Sequence, residues 1–132
     1  MGRYVIDAPT LLHLITEGVE VDPRHQLVAP NLIRSEALAL LFAAVRRGNL
    51  TESEALQHHE RITELKMRLL GDRVSRRTAW KIAREQGWET TLDAEYLAVT
   101  RLQADAYATI DAVARARAEG VVPLATVDKL SA

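Results

Sequence analysis

Short apolar runs that read as buried strands alternate with helical segments along the chain, and this alternation restricts the possible folds more than any other feature. The predicted strands are residues 4–6, 27–29, 106–110 and 121–124. Strands that are apolar throughout are typical of sheets covered by helices on both faces. The sequence therefore predicts a single α/β domain over residues 1–132, with three α/β/α layers and a parallel sheet of about four or five short strands.

Prolines, capping residues and glycines mark the predicted helices. Pro9 suits the first turn of a helix that continues to Ile15. A strongly apolar helix over 31–47 is followed by Gly48, a residue common just after a helix end. The pattern Thr51-Glu52-Ser53-Glu54 is a capping box, and its helix is predicted to run to about residue 69. The remaining helices are predicted over 75–86, with Ser75 as the cap, 92–102 and 112–119.

Composition and charge exclude several classes of protein. The chain has no cysteine, which excludes disulfides and thiolate metal sites and predicts a cytoplasmic location. No apolar run approaches the roughly 18 residues of a membrane helix, and no secretory segment opens the chain, so no membrane partner is expected. The formal net charge of −1 argues against nucleic-acid binding by bulk electrostatics. It leaves room for an enzyme that handles a phosphodiester locally through metal ions and a few arginines.

Acidic residues at four places are predicted to form one site. Asp7 and Asp111 each follow a predicted strand, and ligands of parallel sheets gather at the carboxyl ends of the strands. Glu36 lies among apolar residues in mid-helix, and Asp93 lies in the first turn of an apolar helix. Taken alone, the aspartates also suit helix caps or first-turn acids. A divalent cation would relieve both the burial and the mutual repulsion of such carboxylates, and Mg²⁺ or Mn²⁺ prefers oxygen ligands.

Four segments carry a family resemblance: "YVIDAPTLL", "PNLIRSEALALL", "TTLDAEYLAV" and "AYATIDAVA". They resemble the signature segments of PIN-domain nucleases, and their order and spacing are most similar to those of VapC toxins of bacterial toxin–antitoxin pairs. The resemblance implies a PIN-like domain in which Asp7, Glu36, Asp93 and Asp111 are the catalytic, metal-binding acids. It also implies that Thr109 orients a carboxylate or a water, and that Tyr96 accompanies Asp93.

The resemblance implies a metal-dependent endoribonuclease that uses Mg²⁺ or Mn²⁺ and cuts cellular RNA. It further implies a homodimer and a small cognate antitoxin, similar to VapB, whose amphipathic helix would occupy an apolar groove within residues 31–69. The chain departs from the family after the first aspartate, where it has Ala8-Pro9-Thr10. A second T-x-D segment, Thr126-Val127-Asp128, lacks a following helix, and we interpret it as a decoy.

Other interpretations stay open at this point. A non-catalytic PIN-like module that binds RNA or protein is the main alternative function. A receiver-type phosphoacceptor domain also clusters acids at strand ends, but it needs a lysine near a late strand, and here some of the acids come from helices. Trp80 and Trp88 are predicted to lie in the core or an interface. A run of basic residues is either a solvent-exposed face or a surface that binds RNA phosphates. It consists of Arg73, Arg76, Arg77, Lys81 and Arg84.

Overall fold

The computed structural model describes residues 2–132 and has the predicted three-layer α/β/α architecture. A parallel sheet of five strands has the order β3-β2-β1-β4-β5. The strands are β1 (Arg3–Ile6), β2 (Gln26–Pro30), β3 (Arg68–Leu70), β4 (Ala106–Ala108) and β5 (Leu124–Ala125). The chain moves outward from β1 through β2 to β3, and then returns to β4 on the other side of β1. The order of the strands therefore reverses between β1 and β4, which is where open parallel sheets form ligand sites.

Six α-helices connect these strands. They are α1 (Ala8–Thr16), α2 (Leu32–Arg46), α3 (Glu52–Glu64), α4 (Arg73–Gln86), α5 (Leu92–Gln103) and α6 (Ala112–Ala118). The first three pack against one another, whereas α5 packs against α4 and against β1, β2 and β4. A short 3₁₀ helix (Val127–Leu130) follows β5.

The core lies on the two central strands and the helices that cover them. Val5 and Ile6 of β1 and Val28 and Ala29 of β2 are all at most 1 % exposed, so successive residues are buried on both faces of the sheet. Removing a side chain the size of valine or leucine from water contributes about 1.5–3 kcal/mol, so these positions hold the sheet between its helical layers. Across residues 2–132, none of the helices combines the length and apolar character that crossing a bilayer requires.

The predicted helix over 51–69 was too long, because its last residues form a strand. α3 ends at Glu64, and Leu65 already has an extended backbone. Residues 68–70 pair with β2 as the edge strand β3. An apolar run this short suits either a helix or a strand, so hydrogen bonding to β2 decides its conformation.

Three further elements differ from the predictions by two residues or more. α4 is capped by Asp72 and not by Ser75; the Asp72 carboxylate accepts a hydrogen bond from Ser75 N at 2.8 Å. The last strand is β5 and not 121–124, because the N–H groups of Val121 and Val122 bond back to the carbonyl of Ala118 at the end of α6. The strand predicted over 106–110 keeps only 106–108, since the backbone N–H of residue 110 turns to a side chain of α1.

Candidate active site

All four predicted acids line one cavity of about 310 Å³ at the reversal point of the sheet: Asp7, Glu36, Asp93 and Asp111. β1 and β4 are parallel neighbours with Ile6 opposite Ala108, so the chain leaves both strands at the same edge. The first aspartate follows β1 directly and the last follows β4 by three residues, while α2 and α5 supply the other two acids. Chain topology therefore brings together residues from four separate segments.

Asp7 is held by hydrogen bonds on both carboxylate oxygens. The side chain is buried, and Oδ1 accepts bonds from Thr10 N at 3.1 Å and Thr10 Oγ1 at 2.5 Å. Oδ2 accepts bonds from the hydroxyls of Tyr107 at 2.8 Å and Thr109 at 2.6 Å. A carboxylate offers about four lone-pair sites, so these donors fill them. Asp7 thus both caps α1 and faces the cavity.

Two threonine hydroxyls link Asp7 to the backbone after β4. Thr109 Oγ1 donates to Asp7 and accepts from Asp111 N at 3.0 Å, while Thr10 Oγ1 donates to Asp7 and accepts from Ile110 N at 3.0 Å. Each hydroxyl is polarised by the backbone N–H behind it, which strengthens its bond to the carboxylate. Thr109 therefore lies where it orients the Asp7 carboxylate, one of the two roles that the sequence suggested for it.

Glu36 is a half-buried carboxylate with a single neutral donor beside it. The hydroxyl of Tyr96 donates a hydrogen bond to its Oε1. Burial raises the pKa of Glu36 above its usual value, the Tyr96 hydrogen bond opposes that rise, and the charges of Asp93, Asp7 and Glu95 add to it. A group in this environment becomes easier to ionise when positive charge enters the cavity.

Asp93 and Asp111 are engaged in contacts of their own. Asp93, in the first turn of α5, forms an ion pair with Arg117 of α6 at 2.6 Å between Oδ2 and Nη1. The same guanidinium lies over the ring of Trp88, 5.5 Å from its centroid. Asp111 caps α6, with Oδ1 accepting from Val113 N at 3.0 Å. The helix-cap interpretation of Asp111 is thus observed in the structure alongside its place in the cavity wall.

Tyr107 is a site residue that the sequence reasoning missed. Its ring stacks with that of Tyr96 at 6.4 Å between centroids and 26° between planes. Burial raises the pKa of both phenols, so both hydroxyls stay protonated and act as donors, one to Asp7 and one to Glu36. One signal was present in the sequence: a buried tyrosine within an apolar strand needs a partner for its hydroxyl.

The carboxylate oxygens of the four acids are the ligand atoms that a hard divalent cation prefers, but these side chains do not converge on one position. The four acids offer only oxygen ligands, which Mg²⁺ and Mn²⁺ prefer. Over residues 2–132, no three acidic or histidine side chains stand close enough to hold a metal ion as they are placed. Binding would require Asp7 to give up at least one of its four hydrogen bonds and Asp93 to leave Arg117. Both side chains of that pair are about half exposed, and surface ion pairs contribute only about 0.2–1 kcal/mol, so the pair is easily released.

Fold and site together define a three-layer α/β/α domain with an acidic cavity at the C-terminal edge of its parallel sheet. No family model and no curated protein matches the sequence. Solved structures do match the fold, among them the crystal structure of PAE2754 from Pyrobaculum aerophilum. It superposes with a TM-score of 0.73 over 96 % of this chain and 90 % of that chain, at 23 % sequence identity. A likeness at this identity shows the fold alone.

Proposed function

We propose that this protein is a metal-dependent endoribonuclease of the PIN-domain type, acting as the toxin of a toxin–antitoxin pair. The observation that carries the proposal is the joint placement of Asp7, Glu36, Asp93 and Asp111 on one cavity at the sheet edge. These acids would hold one or two Mg²⁺ or Mn²⁺ ions. A bound ion supplies positive charge to the phosphodiester and lowers the pKa of water.

The neighbouring side chains would keep the acids in a fixed orientation. Tyr107, Thr109 and Thr10 hold Asp7, and Tyr96 holds Glu36. Hydrogen-bond partners of ligating carboxylates set the orientation of those carboxylates. Mutation of such a partner typically lowers activity or metal affinity by about 10- to 100-fold. The side chains around the cavity, all within residues 2–132, include neither histidine nor lysine. This composition supports a reaction in which water is activated by the ion and not by a basic side chain.

The direct test is incubation of purified protein with total RNA in chelator, in Mg²⁺ and in Mn²⁺. Cleavage within the RNA chains is expected only when an ion is present. Protein that leaves RNA intact under every condition, after removal of any bound inhibitor protein has been verified, would contradict the proposal.

A non-catalytic PIN-like module that binds RNA or protein is the second candidate function. It is favoured by one observation: Asp7 has four hydrogen-bond donors and Asp93 is paired with Arg117, so both carboxylates have partners without a metal ion. The half-buried Glu36 favours the nuclease instead, because its only polar partner among residues 2–132 is a neutral hydroxyl. A metal-binding measurement separates the two functions.

The cleft between α2 and α3 fits the predicted place of the antitoxin. It has a volume of about 200 Å³ and is lined mainly by apolar side chains. Phe42 is 68 % exposed, Leu56 58 % and Leu38 51 %, which leaves the apolar rim open to solvent. Amphipathic helices bind such grooves through apolar residues on one face. We propose that the antitoxin helix binds here; the homodimer and the cytoplasmic location stay predictions of the sequence.

Phe42→Glu should weaken the complex with the antitoxin while the isolated protein still cleaves RNA. Burial of a phenylalanine contributes about 1.5–3 kcal/mol, and a carboxylate in its place would be buried without a partner, so binding should weaken at least about tenfold. The measurement is the amount of cognate antitoxin that co-purifies with each variant. An undiminished complex would exclude this cleft as the binding site.

Asp111→Asn should remove cleavage, whereas Asp128→Asn should leave it almost unchanged. Asp111 lines the acidic cavity, while Asp128 is exposed in the 3₁₀ helix that follows β5 and is not among the cavity residues. Rates of RNA cleavage for the two variants at equal Mn²⁺ concentration provide the comparison. Similar losses in both would show that the wrong T-x-D segment has been assigned to the site.

A further inference from the structure

The outward face of α4 concentrates unpaired positive charge. Its buried face consists of small and apolar residues, Ser75, Ala79, Ile82 and Ala83. Its exposed residues include five cations: Arg73, Arg76, Arg77, Lys81 and Arg84. Over residues 2–132, none of the five lies within ion-pair distance of a carboxylate. In a chain of net charge −1, this is a local concentration of positive charge.

A tryptophan stands among these cations. Trp80 was predicted to lie in the core or an interface; it is 66 % exposed, so the core is excluded. Helical spacing places it one turn from Arg76, Arg77 and Arg84. Val74 on the same helix is 60 % exposed. Tryptophan is highly buried on average and is enriched at interfaces, so an indole exposed among cations suits a contact surface.

We propose that this α4 face, defined by the five cations and Trp80, binds single-stranded RNA. The guanidinium and ammonium groups would contact phosphates, and a base would stack on the indole. Cationic side chains combined with an aromatic platform are the chemistry by which proteins bind single strands without reading their sequence. Naming RNA as the ligand rests on the proposed ribonuclease function.

The shape of the surface favours a single strand over an acidic protein segment. All the side chains that line it come from α4, so it is a ridge on one helix and has no second wall. An acidic peptide would match the cations, but its apolar anchors would find no groove to enclose them. A base needs only one open face of an indole, and an exposed ring provides that.

The C-terminal end of α4 is connected to the helix that carries one of the cavity acids. The short connection 87–91 joins the C-terminal end of α4 to the first turn of α5, where Asp93 lies. Trp88 in this connection packs against Arg117, whose guanidinium bonds to Asp93. An indole and a cation, Trp88 and Arg117, therefore lie between the chain segment that follows α4 and the cavity residue Asp93. The part from Arg73 to Arg84 spans roughly 16 Å along the helix axis, enough for several nucleotides.

The test is fluorescence anisotropy in chelator with a labelled oligouridine of about 12 nucleotides, a length within known single-strand site sizes. Trp80→Ala should raise Kd about tenfold, and Trp80→Phe should retain most of the affinity because a ring remains. Replacing Arg76, Arg77 and Arg84 together by glutamine should reduce the slope of log K against log salt by about 2, at roughly 0.7 per phosphate contact. A matched control replaces three exposed cations elsewhere by glutamine: Arg46 at the end of α2, Arg47 just after it, and Arg61 in α3.

Unchanged affinity and unchanged salt slope in the α4 variants, with circular dichroism showing intact helices, would overturn the proposal. So would failure of the wild type to bind the oligouridine, or equal losses in the control variant. Binding of polyglutamate or of anionic vesicles in place of RNA would reassign the surface to those partners. Because the assay excludes metal, it measures RNA binding separately from cleavage. RNA bound through α4 in chelator, together with no cleavage of total RNA after Mg²⁺ or Mn²⁺ is added, would keep this inference and remove the ribonuclease function. Normal cleavage by the α4 variants would keep the ribonuclease function and remove this inference.

Discussion

Asp7→Asn should abolish RNA cleavage while the protein stays folded. The substitution removes one negative charge from the cavity and replaces a ligand oxygen by an amide nitrogen, which cannot bind Mg²⁺. Changes in the partners of metal ligands already reduce activity about 10- to 100-fold, so loss of a ligand should exceed about a hundredfold. The measurement is single-turnover cleavage at saturating Mn²⁺, with circular dichroism to verify the fold.

Asp72→Asn is a matched control for that experiment. Asp72 caps α4 as Asp7 caps α1, but it does not line the acidic cavity. Asparagine caps helices about as well as aspartate, so this variant isolates the effect of removing a capping charge elsewhere. Full cleavage by folded Asp7→Asn, or an equal loss in Asp72→Asn, would end the assignment of Asp7 to the active site.

Divalent ions should stabilise the fold by a large amount. An ion that binds only the folded protein stabilises it by mass action, about 2.7 kcal/mol at a hundred times Kd. For a domain of this size that corresponds to a rise in melting temperature of several degrees, on the order of 10 °C. The measurement is a thermal melt of chelator-treated protein titrated with Mg²⁺, Mn²⁺ or Ca²⁺. Ca²⁺ is expected to bind without supporting cleavage.

Substitutions around the cavity should change the rise in melting temperature that divalent ions produce, and the direction should depend on the residue replaced. Glu36→Gln and Asp93→Asn each remove a ligand charge and should shrink the shift. Arg117→Gln should enlarge it at limiting metal, because Asp93 is then released from its ion pair. Asp128→Asn should leave it unchanged. If no ion moves the melting temperature of the wild type, the acids do not form a metal site and the nuclease function fails with them.

The sequence predicted the fold and the convergence of the acids for physical reasons that act locally. Short apolar runs that alternate with helices favour a parallel sheet covered on both faces, and strand ends place Asp7 and Asp111 at one edge. β3 could not be predicted, because three residues of mixed apolar character have no period of their own. The pairing of Arg117 with Asp93 could not be predicted either, since it depends on how α5 and α6 are placed relative to each other.

The hydrogen bonds of Asp7 change the expected stability of the metal-free Asp7→Asn protein. On the sequence, repulsion among the acids suggests that Asp7→Asn would slightly stabilise the metal-free protein. The structure shows four donors on that carboxylate, and an amide nitrogen cannot accept hydrogen bonds from the donors on its side. Leaving one such buried donor unsatisfied costs about 1–3 kcal/mol. We therefore expect the variant to be less stable than the wild type, although still folded.

The most direct test of the acidic cavity as a metal site is a titration of chelator-treated protein with Mn²⁺, followed by electron paramagnetic resonance of the free ion. The wild type should bind one or two Mn²⁺ ions per chain, Asp128→Asn should bind the same number, and Asp7→Asn should lose this binding. A wild type that leaves all the Mn²⁺ free, or an Asp7→Asn protein that binds it as well as the wild type does, would contradict the assignment of this cavity as the metal centre of a ribonuclease.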